Sequence, residues 1–154
     1  DRLDEIIAAC RANRARITEG VKTAAAEKGI RLRANRDEAG DTGIALVLLC
    51  PEAPMAERLA RELQQVGIDA ETLYDPQVVD LHVASHWRPI LEARTWSSVG
   101  PWTEQAGEFD YRPERWSKTT DLLARSVHLD VSPDLTTEQV EQVARALRDG
   151  VASL

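Results

Sequence analysis

The sequence predicts an α+β two-layer domain, with a small, mainly antiparallel sheet covered by helices and a long N-terminal connecting helix. Three observations predict it. Apolar residues recur at helical spacing from Leu3 to Ala24. Two strand-like segments, IRLRAN and IALVLLC, flank the turn-rich RDEAGDTG. The C-terminal stretch carries one alternating strand followed by a capped amphipathic helix. The 154 residues are enough for one domain with a real core.

The first helix rests on Leu3, Ile7, Cys10, Ile17, Val21 and Ala24. Their spacing is close to a repeat of ~3.5 residues, broken where Arg14 should be apolar. Gly29 closes it, so residues 1–29 read as a connecting helix and 30–154 as the domain. A helix of this length packs one stripe, either against something beyond this chain or across the domain's own sheet. The opening DRLDEIIAACRANR is charged throughout, unlike a secretory leader, and starts in mid-helix without Met, as a piece cut from a longer protein would.

In IRLRAN, Ile30, Leu32 and Ala34 alternate with Arg31, Arg33 and Asn35, which suits a half-exposed strand. IALVLLC is continuously apolar, which suits a strand buried on both faces. The short turn between them makes an antiparallel pair. A helix then starts with Pro54 in its first turn, shows Met55, Leu59, Leu63 and Val66 on one face, and stops at Gly67. DAETLY, residues 69–74, reads as a short strand.

From Asp75 to Lys118 periodicity fades, while all four tryptophans and Phe109 gather. Such a segment lies over a core as irregular structure, its aromatics providing the packing, and is a common place for a site. Regularity returns with helical turns at Thr120–Arg125. SVHLDV follows as a strand with Val127, Leu129 and Val131 on its buried face and His128 on its polar face. A last helix is capped by Thr136 and Gln139, with Val140, Val143, Leu147 and Val151 inward.

Composition limits the function classes. Hydrophobic content of 43% and charged content of 29% are ordinary for a globular protein. A net charge of −7 argues against a non-specific grip on nucleic acid or an anionic membrane. IALVLLC is too short to span a bilayer. Cys10 and Cys50, both in apolar patterns, read as buried free thiols of a cytoplasmic protein.

The stretch DLHVASHW carries the most chemistry. His82 and His86 stand four apart, and on a helix both imidazoles would share one face within reach of a metal ion, with Asp80 as a third ligand. The signal is weak, because no Glu stands where HExxH would place a base and no further ligand lies nearby. The pair can equally line a substrate pocket or do nothing. No nucleophile elbow, P-loop or dinucleotide fingerprint is present. The lysines, Lys22, Lys28 and Lys118, lack the desolvating surroundings of a Schiff-base amine. Asp37/Glu38 and Asp134/Glu138 have sufficient jobs in a turn and at a helix start.

The tail LLARSVHLDVSPDLTTEQVEQVARAL resembles the C-terminal end of the DegT/DnrJ family of sugar aminotransferases, which runs through a short helix, an Arg-Ser strand, a proline and a last helix. RDEAGDTGIALVLLCPEAPMAERLARELQQVGIDAETLYD is similar to that family's strand, helix and Gly-Ile turn. DLHVASHWRPIL resembles its His-containing segment, and RANRARI the helix leaving its large domain. No one of these motifs is specific; their order carries the resemblance, over most of the chain. It implies the small C-terminal domain of a fold-type-I enzyme that uses pyridoxal 5′-phosphate to move an amino group from an amino-acid donor to a keto-sugar. In that family the Schiff-base lysine and most of the cofactor site come from the large domain, which these residues do not include, so no catalytic residue is expected in this chain. The partners implied are the large domain or a companion subunit, and a second copy in a homodimer.

On the same resemblance His82 is the first candidate for a substrate contact, followed by His86 and Trp87, as an imidazole can bond a sugar hydroxyl and an indole can pack on its ring. Arg33 and Arg36 could pair with a donor carboxylate, against the plainer reading of an exposed strand face. A non-catalytic module that docks through its N-terminal amphipathic helix is the alternative function.

Overall fold

The sheet is built from β1 (Arg31–Leu32), β2 (Ala45–Leu49), β3 (Ala70–Thr72) and β4 (Ser126–Asp130), arranged β1-β2-β4-β3 with every neighbour antiparallel. The computed structural model describes residues 2–100, 102 and 112–154. It divides into two units, Asp1–Leu73 with Ala124–Leu154, and Tyr74–Leu123.

The first unit holds the sheet, α1 (Arg2–Glu27), α2 (Ala53–Gln65) and α5 (Thr137–Ser153). Leu46 pairs with Leu129 and Leu48 with Val127, and these side chains join Ile17, Val21, Leu59, Leu63 and Leu147 in one core. Burying each large aliphatic side chain contributes about 1.5–3 kcal/mol. β4 lies antiparallel between β2 and β3, which makes those two parallel and α2 their crossover, a split βαβ arrangement. The middle of the apolar run, Leu46, Val47 and Leu48, is buried as expected, as is Cys50 at its end, while Ala45 and Leu49 are half-buried and Ile44 is 57% exposed before the strand begins.

Local chemistry sets the ends. Gly29 and Gly67 take positive φ, +69° and +82°, after α1 and α2. Thr136 Oγ1 accepts from the Gln139 N–H and Gln139 Oε1 accepts from the Thr136 N–H, a complete capping box on α5. Gly43, with φ +78°, lies so close to α1 that a Cβ there would sit 2.7 Å from the Arg11 backbone nitrogen.

Several expectations shift. The fully buried positions on α1 are Cys10, Ile17, Val21 and Ala25, and Ala24 packs against the same core partly buried. Its first turns carry no core: Leu3 is 61% exposed. Val66 caps α2 and is exposed instead of facing inward. β1 is cut to two residues, since Asn35 Oδ1 accepts from the Asp37 N–H and Asp37 Oδ1 from the Gly40 N–H, drawing the chain out of the ladder.

The second unit contains 3₁₀ turns at Ala84–His86 and Pro113–Trp116, the one-turn helix α3 (Arg88–Leu91) and α4 (Ser117–Ala124), whose last residue belongs to the first unit. Its aromatics do not all provide packing: Trp96 is fully exposed and Trp87 is 41% exposed, while Trp102 and Trp116 are half-buried. Phe109 lies outside the described residues.

Where α1 crosses α5, a Cβ on Gly20 would stand 2.8 Å from Ala144 Cβ. Gly20→Val should therefore destabilise the chain by about 1–3 kcal/mol through overpacking, read as a lower urea midpoint with an unchanged slope.

Candidate functional site

Asp80 organises DLHVASHW. Its Oδ1 accepts from the His82 N–H at 2.8 Å and lies 2.8 Å from His82 Nδ1. The bond from the His82 backbone, and next that from its ring, hold the Asp80 carboxyl below the ordinary carboxylate value. An ionised Asp80 favours the tautomer with hydrogen on His82 Nδ1 and leaves Nε2 as an outward acceptor. The His82 side chain is 98% exposed. His86 Nδ1 stands 2.9 Å from the Asp80 backbone nitrogen and 3.0 Å from its carbonyl oxygen, and its ring stacks on Tyr74 with centroids 5.5 Å apart. Trp87 donates from Nε1 to the Leu81 carbonyl.

The two histidines thus do not share a helical face. Residues 84–86 form a 3₁₀ turn only, and both Nδ1 atoms turn back to Asp80, one to its side chain and one to its backbone. Among the described residues no three His, Cys, Asp or Glu side chains are grouped to hold a metal ion. Sequence reasoning missed Tyr74, whose only signal was an aromatic at the end of a weak strand.

In the first unit a cleft of about 420 Å³ is lined by Arg11, Arg14, Leu32, Arg33, Asp41 and Val47, among others. Arg14 Nη1 donates to Asp41 Oδ2 at 2.5 Å, while Arg11 donates to the carbonyls of Asp41 and Ala39. The Gly43 N–H and then Arg14 hold the Asp41 carboxyl below its ordinary value. Arg33 lines this cleft, whereas Arg36 is exposed in the turn and is not part of the lining. The arginine candidates therefore belong to the first unit, and His82, His86 and Trp87 to the second. Arg11, Arg14 and Asp41 were not candidates, although the polar break at Arg14 in an apolar stripe was their signal.

Cys10 and Cys50 are free and buried, and burial pushes the Cys50 thiol up to about 11. The residues present do not fit the reactive part of a pyridoxal phosphate site. Lys22 is ion-paired to Glu19 on the surface of α1, Lys28 follows that helix half-buried in its closing turn, and Lys118 is exposed, so none offers a desolvated amine.

No family model matches the chain, and no curated protein matches it. Solved structures do. The chain is similar to the aminotransferase TlmJ from Streptoalloteichus hindustanus, at 19% identity and a TM-score of 0.62, over 99% of this chain and 33% of that one. It is also similar to Spr1654 from Streptococcus pneumoniae, described as a sugar aminotransferase. The apo-form matches at 16% identity and a TM-score of 0.58, over 99% of this chain and 32% of that one. The PMP-form matches at 16% identity and a TM-score of 0.54, over 92% and 31%. The fold is therefore aminotransferase-like, and the chain spans about a third of the length of the structures it matches. Among the described residues no helix is long and apolar enough to cross a membrane.

Asp41→Asn should cost roughly 1–3 kcal/mol at neutral pH by removing a charge-assisted bond. Because the folded-state value is lowered, the stabilisation from Asp41 is complete above the ordinary carboxylate range and fades as pH falls through that lowered value. Denaturant midpoints from pH 7 down to pH ~2 should show the wild-type and Asn curves converging in acid.

Proposed function

We propose that this chain is the small C-terminal domain of a pyridoxal-phosphate-dependent sugar aminotransferase of the DegT/DnrJ type. The observation that supports it is the likeness of nearly the whole chain to about a third of each of two aminotransferases, one of them in a PMP-form. On this reading the cofactor's lysine and phosphate site lie in a large domain or companion subunit, the full enzyme is a cytoplasmic homodimer, and an amino-acid donor passes its amino group to a keto-sugar. The domain's part is to shape the substrate pocket. His82 offers an exposed, oriented Nε2 to a sugar hydroxyl, with His86 and the half-exposed face of Trp87 beside it in sequence. Arg33 and Arg36 are the candidates for the donor carboxylate.

The exposed Leu3 and Ile6 on the first turns of α1 favour a second reading, a non-catalytic module docking through that helix. The two separate in one experiment. Produced together with the polypeptide encoded upstream of Asp1, the chain should give a coloured, cofactor-bearing complex that transfers amino groups to a keto-sugar. An upstream sequence with no cofactor lysine, and no companion that restores colour, would contradict the aminotransferase reading. Within the active complex His82→Ala should raise the KM for the keto-sugar by about tenfold and change kcat by less than about threefold, as expected for a uniform binding contact.

A further inference from the structure

We propose that the cleft under Arg33 is an oxyanion-binding site, complete within this chain, for a small organic molecule bearing a carboxylate or phosphate. Charge is the first reason. Arg11, Arg14 and Arg33 line the cleft against the carboxylates of Glu38 and Asp41. Arg14 pairs directly with Asp41, on which Arg33 acts more weakly at longer range, so three guanidinium groups face two carboxylates and one positive charge is left over. Arg11 is satisfied by two backbone carbonyls, which hold its guanidinium in place without neutralising it. Among the described residues no hydrogen bond engages the Arg33 side chain. Its backbone N–H is fixed to the Val47 carbonyl at 2.9 Å, so the guanidinium projects from an anchored strand end.

The lining mixes apolar and polar groups. Ala15, Leu32, Ala45 and Val47 give it apolar surface, and Thr18 and Asn35 add polar groups. Asn35 already uses its carbonyl oxygen on the Asp37 N–H, which leaves its amide nitrogen as a donor. A volume of about 420 Å³ falls within the usual range for small-molecule pockets, and a guanidinium fork with no hydrogen-bond partner, beside apolar groups, recognises the planar or tetrahedral oxyanion of an organic acid or phosphomonoester. The Arg11 and Arg14 bonds and the close approach of Gly43 fasten the turn to α1. The site extends the assignment of Arg33 to a donor carboxylate and rests on it, but its test needs no amino transfer, so its failure and that of the aminotransferase reading are told apart.

Calorimetric titration of the full chain at low salt with benzoate, phenyl phosphate and inorganic phosphate tests it. Saturable binding of at least one organic probe is expected, with phenyl phosphate bound more tightly than inorganic phosphate. Preference between benzoate and phenyl phosphate assigns the carboxylate or phosphate. Arg33→Met should weaken that binding at least tenfold and Arg33→Lys by less. Arg31→Met, which removes the same charge from the exposed side of β1 outside the cleft, should leave it unchanged. No saturable binding of either organic probe, or an equal loss in Arg33→Met and Arg31→Met, would overturn the assignment.

Discussion

The pairing of β4 between β2 and β3 is the constraint on which the rest of the structure depends. The chain leaves the sheet after Thr72 and returns at Ser126, and the two ends are tied by a bond from the Leu73 N–H to the Ser126 carbonyl at 3.1 Å. A long excursion is thereby closed by the sheet. Closure entropy grows only slowly with loop length, by about 0.6 kcal/mol per doubling, so the core in residues 2–73 and 124–154 can carry an irregular segment at modest cost. Turns, a one-turn helix and exposed tryptophans are tolerable there because the fold does not need them for its core.

Two sets of functional groups follow from this division, each held by a different device. In the excursion a single carboxylate, Asp80, orders two imidazoles by local hydrogen bonds, which is geometry that a short polar loop can hold without a hydrophobic core. In the sheet unit, arginines on α1 fasten the 37–43 turn across a separation of about 30 residues, and the strand end bearing Arg33 is set beside them. As proposed above, the first arrangement would offer an acceptor to a hydroxyl and the second a cation to an oxyanion.

Much of the fold was legible because it is written in local terms. The capping box at Thr136 and the glycines at 29 and 67 act through near neighbours, and each appears where the sequence placed it. The run at 44–50 gives β2 over residues 45–49, with Ile44 left exposed. What was not legible depends on distant partners or on side chains that bond nearby backbone. β1 ends early because Asn35 and Asp37 bond their own backbone. Arg14 looked like a defect in an apolar stripe, and its partner Asp41 is 27 residues away. The helical spacing of His82 and His86 misled because Asp80 captures the loop before a helix can form, and the short helix that follows starts only at Arg88, next to Pro89.

Amide hydrogen exchange tests the central pairing most directly. The amides of Cys50, Leu73 and Val131, which donate to Arg125, Ser126 and Ile44, report the seams at which β4 and its flanking residues join the sheet. If the inserted strand closes the fold, these three exchange only through global opening, orders of magnitude more slowly than amides in the 76–100 turns. Exchange of the three at the rate of those turns would show that the strand is not locked in place, and the account of the fold built on it would fail.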